Sequence, residues 1–153
     1  MDQGTINRYV PRRLFGVVML AVLGAVGGAA VLGQSATSVW DGVYTEAQAK
    51  KGEAVYFAHC VDCHGPDFAG REQAPALAGL GFMEKWNRAT VRKLFERVEQ
   101  MPPDEPKVLA TQDYVDVLAY MLGVNGLPAG PTALPNDRAA LGRIEIKNVR
   151  LQK

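Results

Sequence analysis

A chain of 153 residues with 17 basic and 16 acidic side chains carries a net charge of +1, and its length suits one ordinary domain or a small domain with extensions. So even a balance gives no footing for nucleic acid as a partner and argues against long-range electrostatic steering toward any other.

Residues 1–13 hold Arg8, Arg12 and Arg13 and lead into an uncharged apolar run from Leu14 to Gly33. Basic residues ahead of such a run keep the N-terminus in the cytoplasm and send the downstream chain across the membrane. A secretory signal has an apolar region of about 7–15 residues. The run 14–33 is longer, and as a helix at about 1.5 Å per residue it would reach roughly 30 Å, enough to span the hydrocarbon core. Gly33-Gln34-Ser35 and Gly28-Ala29-Ala30 are only imperfect cleavage sites. The expectation is therefore a transmembrane anchor over 14–33, and the alternative is a cleaved signal that releases a soluble periplasmic protein. Gly24 and Gly28, flanked by Ala21 and Ala25, give the run a small-residue face suited to packing on another membrane helix.

Residues 34–44 have turn formers and no periodicity, and read as a linker. Thr45 with Gln48 three residues on has the pattern of a capping box. The helix it opens is expected to run to about His59, with Ala49, Gly52, Val55 and Tyr56 on one face. Residues 65–81, rich in glycine and proline, read as an irregular loop. A second helix is expected from Thr90, its apolar face made by Val91, Leu94, Phe95 and Val98, and Met101-Pro102-Pro103 ends it. A last helix is expected from Thr111, with Tyr114, Val117, Leu118, Met121 and Leu122 as its stripe and Gly123 or Asn125-Gly126 as its stop. The fold class is thus all-α, with a small helical domain over 45–127. A domain of that size needs a staple besides its own core. Residues 128–153 read as an irregular, proline-rich tail with a helical turn near Asp137. In it Ile144 and Ile146 alternate with charged neighbours as in a short strand.

The chemistry lies in Cys60-Val61-Asp62-Cys63-His64. The pattern C-x-x-C-H attaches c-type haem. Two cysteines about one helical turn apart reach the two vinyl groups on one porphyrin edge as thioethers, and the adjacent histidine falls under the iron as proximal ligand. Rival readings fare worse. A structural zinc site needs four ligands in a closed tetrahedron, and here His59, Cys60, Cys63 and His64 crowd into one hexapeptide. A redox dithiol needs a βαβ setting that is absent. The other histidine, His59, reads as a solvated surface residue. One covalent haem c is the cofactor expected, and it would serve as the staple.

For a second axial ligand the chain offers three methionines within the domain. Met121 sits on an apolar stripe and reads as core. Met83 follows His64 closely in sequence. Met101 lies in a non-helical Met-Pro-Pro stretch between two helices, where a loop can fold across the haem and present the thioether, and it is the expected ligand. His64 and Met101 are the expected metal ligands.

With these residues in view the sequence resembles the class I cytochrome c family, monohaem bacterial branch, over about residues 40–127. The likeness rests on Cys60-Val61-Asp62-Cys63-His64-Gly65, Ala74-Pro75-Ala76-Leu77-Ala78-Gly79, Met101-Pro102 and Val117-Leu118-Ala119-Tyr120-Met121-Leu122. It implies that Pro75 accepts a hydrogen bond from His64 Nδ1, that the first and last helices cross with Gly52 meeting the Tyr120 ring, and that Trp86 supports a haem propionate or is a plain core tryptophan. It also implies single-electron transfer between a redox protein donor and acceptor, with no catalytic residue of the chain's own. The haem domain would stand on the periplasmic side of a bacterial cell membrane and serve a respiratory, photosynthetic or dehydrogenase complex. The tail 128–153 would dock that complex or form a loosely packed end. The alternative function is a haem enzyme or gas sensor, which requires an open or labile sixth position on the iron.

Overall fold

The computed structural model describes Met1, residues 37–72 and residues 74–149. The expected membrane segment 14–33 lies outside the described residues, and among those described no helix is long and apolar enough to cross a membrane. The chain divides into Met1–Gly33 and Gln34–Lys153, and every described element belongs to the second unit.

In chain order these are β1 (Thr37–Ser38), a 3₁₀ turn (Val39–Asp41), α1 (Glu46–His59), α2 (Val61–His64), α3 (Leu80–Trp86), α4 (Val91–Val98), α5 (Thr111–Val124), α6 (Arg138–Leu141) and β2 (Ile144–Glu145). The fold is mainly helical, as expected. It also contains a two-stranded parallel sheet, with Thr37 against Ile144 and Ser38 against Glu145, which an all-α reading leaves out.

Helix α5 is the centre of the core. Tyr114 to Ala119, Met121 and Leu122 are all buried, so the helix is covered on nearly every side. It crosses α1 at Gly52. A Cβ there would lie 1.8 Å from the Asp116 carbonyl oxygen and 2.8 Å from the Val117 nitrogen, so only glycine permits this backbone approach. The crossing point at Gly52 agrees with expectation, and what lies nearest to it is the α5 backbone at Asp116 and Val117. Tyr120 packs edge-on to Tyr56 and Phe68, at centroid distances of 5.8 and 5.3 Å.

Thr45 caps α1, its Oγ1 accepting from Gln48 N at 3.2 Å. The reciprocal half of the expected capping box is absent, because the Gln48 carboxamide is engaged elsewhere. Its Nε2 donates to the Leu134 carbonyl at 3.0 Å, and its Oε1 accepts from Leu134 N at 2.7 Å. Helix α3 begins within the glycine-rich stretch that reads as loop. Gly79 precedes it with no side-chain cap, and Phe82 and Met83 hold it in the core.

The linker and the tail both differ from expectation. Val39, Val43 and Tyr44 of the linker are buried, as are Leu134, Leu141, Ile144 and Ile146 of the tail. Trp40 Nε1 donates to the Lys147 carbonyl at 3.0 Å, and Tyr44 donates its hydroxyl proton to the Leu127 carbonyl at 2.7 Å. The alternation at Ile144 and Ile146 therefore faces the chain's own core and is not exposed for a partner to cover. A domain this small gains from every apolar side chain it can bury.

Candidate functional site

Cys60 stands at the junction of α1 and α2. Its N–H closes α1 on the Tyr56 carbonyl at 2.8 Å, and Gly65 N closes α2 on the Val61 carbonyl at 2.9 Å. Gly65 then turns the chain away at φ +75, a backbone state open to glycine at little cost. The turn is fixed from within by Tyr56, whose buried hydroxyl donates to the Gly65 carbonyl at 2.6 Å. Burial, with lesser help from Cys60 nearby, pushes the Tyr56 phenol well above its ordinary range, so it stays a donor. The Tyr56 ring stacks on Phe68, 4.1 Å between centroids.

The next loop brings Pro75 to His64, with His64 Nδ1 2.9 Å from the Pro75 carbonyl oxygen. A carbonyl only accepts, so the proton sits on Nδ1 and Nε2 keeps its lone pair. Leu77 N bonds back to the Phe68 carbonyl at 2.9 Å. Asn125, just past α5, holds the same loop by donating from Nδ2 to the Leu77 carbonyl at 3.0 Å and accepting from Gly79 N at 3.1 Å. Gly70 is tight against this return, since a Cβ there would come within 2.4 Å of the Ala74 carbonyl oxygen.

Beside these groups lies a cavity with about 1010 Å³ of empty space, its open mouth included. Cys60, Cys63, His64, Pro75 and Met101 all line it, so all five expected site residues meet at one place. Phe82 and Trp86 of α3, Leu94 and Val98 of α4, and Tyr114, Val117 and Met121 of α5 supply its largely apolar walls. Met83 is buried and absent from the lining. Exposed His59 also reaches the lining. Burial, and secondarily Cys63, pushes the Cys60 thiol up to about 11, so an unattached thiol here stays neutral. His64 is buried, 9% exposed.

Met101 sits where α4 gives way to the loop before α5. Its N–H is held by the Val98 carbonyl at 3.0 Å. Its carbonyl accepts from the Tyr114 hydroxyl at 3.3 Å, and that hydroxyl in turn accepts from Leu109 N at 3.3 Å. One phenol thus pins both ends of the loop.

The donor set fits haem c. It offers two thiols for covalent attachment, an imidazole with a free Nε2 for iron, a soft thioether within the same cavity, and apolar walls for the macrocycle. Two supports, Tyr56 and Tyr114, escape a reading of the sequence. Both lie on recognisable helical apolar faces, and nothing in that spacing tells a core ring from one whose hydroxyl holds a loop. The wall made by α3 escapes it too, because two nearby glycines disguise the helix as loop.

Residues 47–121 match the family described as cytochrome c oxidase, cbb3-type, subunit III. No curated protein and no solved structure matches the chain. The matched span starts in α1 and ends in α5. It includes the C-x-x-C-H segment, Pro75 and Met101, and leaves the tail from residue 128 outside.

Proposed function

Because the chain belongs to the class I monohaem c-type cytochromes, whose domains bind haem c covalently and transfer electrons through it, we propose that it is a membrane-tethered electron carrier with His64 and Met101 as axial ligands. The observation that carries this reading is the meeting of Cys60, Cys63, His64 and Met101 on one largely apolar cavity.

Haem c, when bound, supplies one-electron cycling between ferric and ferrous iron. The residues around it hold and tune. Cys60 and Cys63, just before and within α2, would hold the porphyrin edge through thioethers. Pro75 orients the His64 ring and, by accepting its Nδ1 proton, makes Nε2 a stronger donor. Met101 offers a thioether, a ligand that raises the reduction potential. Phe82, Trp86, Leu94 and Val98 keep water from the macrocycle, which favours the less charged state.

The run 14–33 behind Arg8, Arg12 and Arg13 supports an anchor that leaves the haem domain on the periplasmic side. The family's description as an oxidase subunit supports a place in a respiratory complex, with donor and acceptor both redox proteins.

Purification from native membranes tests the reading. The expected result is a haem protein of full-chain mass in the membrane fraction, with a one-electron Nernst titration and respiratory companions. A soluble protein whose mass starts between Val31 and Thr37 would overturn the tether. A reduced haem that binds CO tightly would overturn the carrier in favour of an enzyme or sensor.

A further inference from the structure

The stretch 134–148 lies outside the matched family span, yet it embraces both ends of α4, the helix that leads into Met101. At the N-terminal end, Ile146 exchanges backbone hydrogen bonds with the segment before α4. Arg88 N donates to the Ile146 carbonyl at 2.8 Å, and Ile146 N donates to the Ala89 carbonyl at 2.8 Å. Thr90, the cap of α4, forms an antiparallel bridge with Glu145. At the C-terminal end, Arg138 of α6 donates from Nη2 to Glu99 Oε2 at 2.6 Å and lies 3.8 Å from Glu96. The same guanidinium stands over the Phe95 ring, 5.0 Å from its centroid. The opposite side of α4, through Leu94 and Val98, faces the haem cavity.

We propose that residues 134–148 are a splint that sets the position of Met101, with Arg138 as the positioning residue. Glu99 is the link. Its carboxylate, 7% exposed for the whole residue, pairs with Arg138, and among the described residues that is its one ion pair. Its backbone carbonyl accepts from Lys107 N at 2.9 Å and so closes the loop that carries Met101. Without Arg138 a buried carboxylate is left uncompensated. The carboxylate then turns toward water and draws the backbone of Glu99 with it, which opens the Lys107 bond and the Met101 bond to Val98. The tail can act as a splint because it is itself fixed to α1 by the paired Gln48–Leu134 hydrogen bonds and to β1 by the small sheet. The consequence for iron rests on Met101 being the axial ligand. The mechanical claim does not.

Amide hydrogen exchange on the full-length holoprotein tests the splint, with the far-red sulfur-to-iron charge-transfer band as a second readout. Arg138→Ala is expected to speed exchange at Met101 and Lys107 by at least about tenfold, the scale set by losing a charged hydrogen bond, while the α1–α5 amides keep their rates. Its charge-transfer band should fade at a lower temperature than in the parent protein. Arg138→Lys should recover most of both, and Glu99→Gln, a milder change that keeps a hydrogen bond, should fall between. Equal acceleration across the whole protein, or unchanged rates at Met101 and Lys107, would overturn the proposal. A parent protein without the band, or a Met101→Ala variant that retains it, would instead refute the axial reading and leave the exchange rates to judge the splint alone.

Discussion

His64 donates its Nδ1 proton to the Pro75 carbonyl oxygen at 2.9 Å, and that single bond fixes which nitrogen of the ring is free for metal. The proline ring limits the backbone that carries the acceptor. Pro75→Ala keeps the carbonyl and frees its backbone, so the bond lengthens on average and the imidazole becomes a weaker donor. A weaker donor stabilises ferric iron less, and the reduction potential should rise by some tens of mV, given that a tenfold change in equilibrium constant is about 59 mV for one electron. Potentiometric titration of the variant checks the sign; a fall in potential would contradict it.

Gly52 admits the Asp116 carbonyl where α1 and α5 cross. Gly52→Ala must part the two helices, and overpacking of this kind costs roughly 1–3 kcal/mol or more. Chemical denaturation of the holoprotein should show a loss of at least about 2 kcal/mol for this variant. The control is Gly81→Ala, because a Cβ at Gly81 meets nothing within 4 Å. That variant should be neutral or slightly more stable, since alanine is the better helix former.

Gln48 is an internal tie, and it gives a third test. Gln48→Ala leaves the N–H and C=O of buried Leu134 without their partners, at about 1–3 kcal/mol for each group that stays dry. The expected result is an unfolding midpoint lower by several degrees, with limited proteolysis opening first between Pro128 and Asp137. Cleavage elsewhere first would show that Gln48 does not anchor the tail.

Much of the site is legible in the sequence because its chemistry is local. Cys60, Cys63 and His64 share one short segment, and a thiol pair next to an imidazole has few other uses. The cap at Thr45 is legible for the same reason, since a hydroxyl three residues from an amide is a short-range fact. Long-range pairings are not. Gln48 fits a capping box by spacing, and only the fold shows that Leu134, distant in sequence, claims its amide. Ile144 and Ile146 lie beyond the domain boundary expected at residue 127; Ile144 pairs with β1, two residues with no strand signature of their own, and Ile146 with Ala89. Arg138 is an ordinary surface charge by sequence, and it is α6 that places it over Phe95 and beside Glu99.

A filled sixth position on the iron leaves no place for substrate, and Met101 and Met121 both line the haem cavity. The decisive measurement is the far-red absorption of the oxidised holoprotein, with CO binding to the reduced form, across Met101→Ala and Met121→Leu. Ligation by Met101 predicts that the parent protein and Met121→Leu show the sulfur-to-iron band and exclude CO, while Met101→Ala loses the band, drops in potential and binds CO. Persistence of the band in Met101→Ala, or tight CO binding by the parent protein, would contradict it.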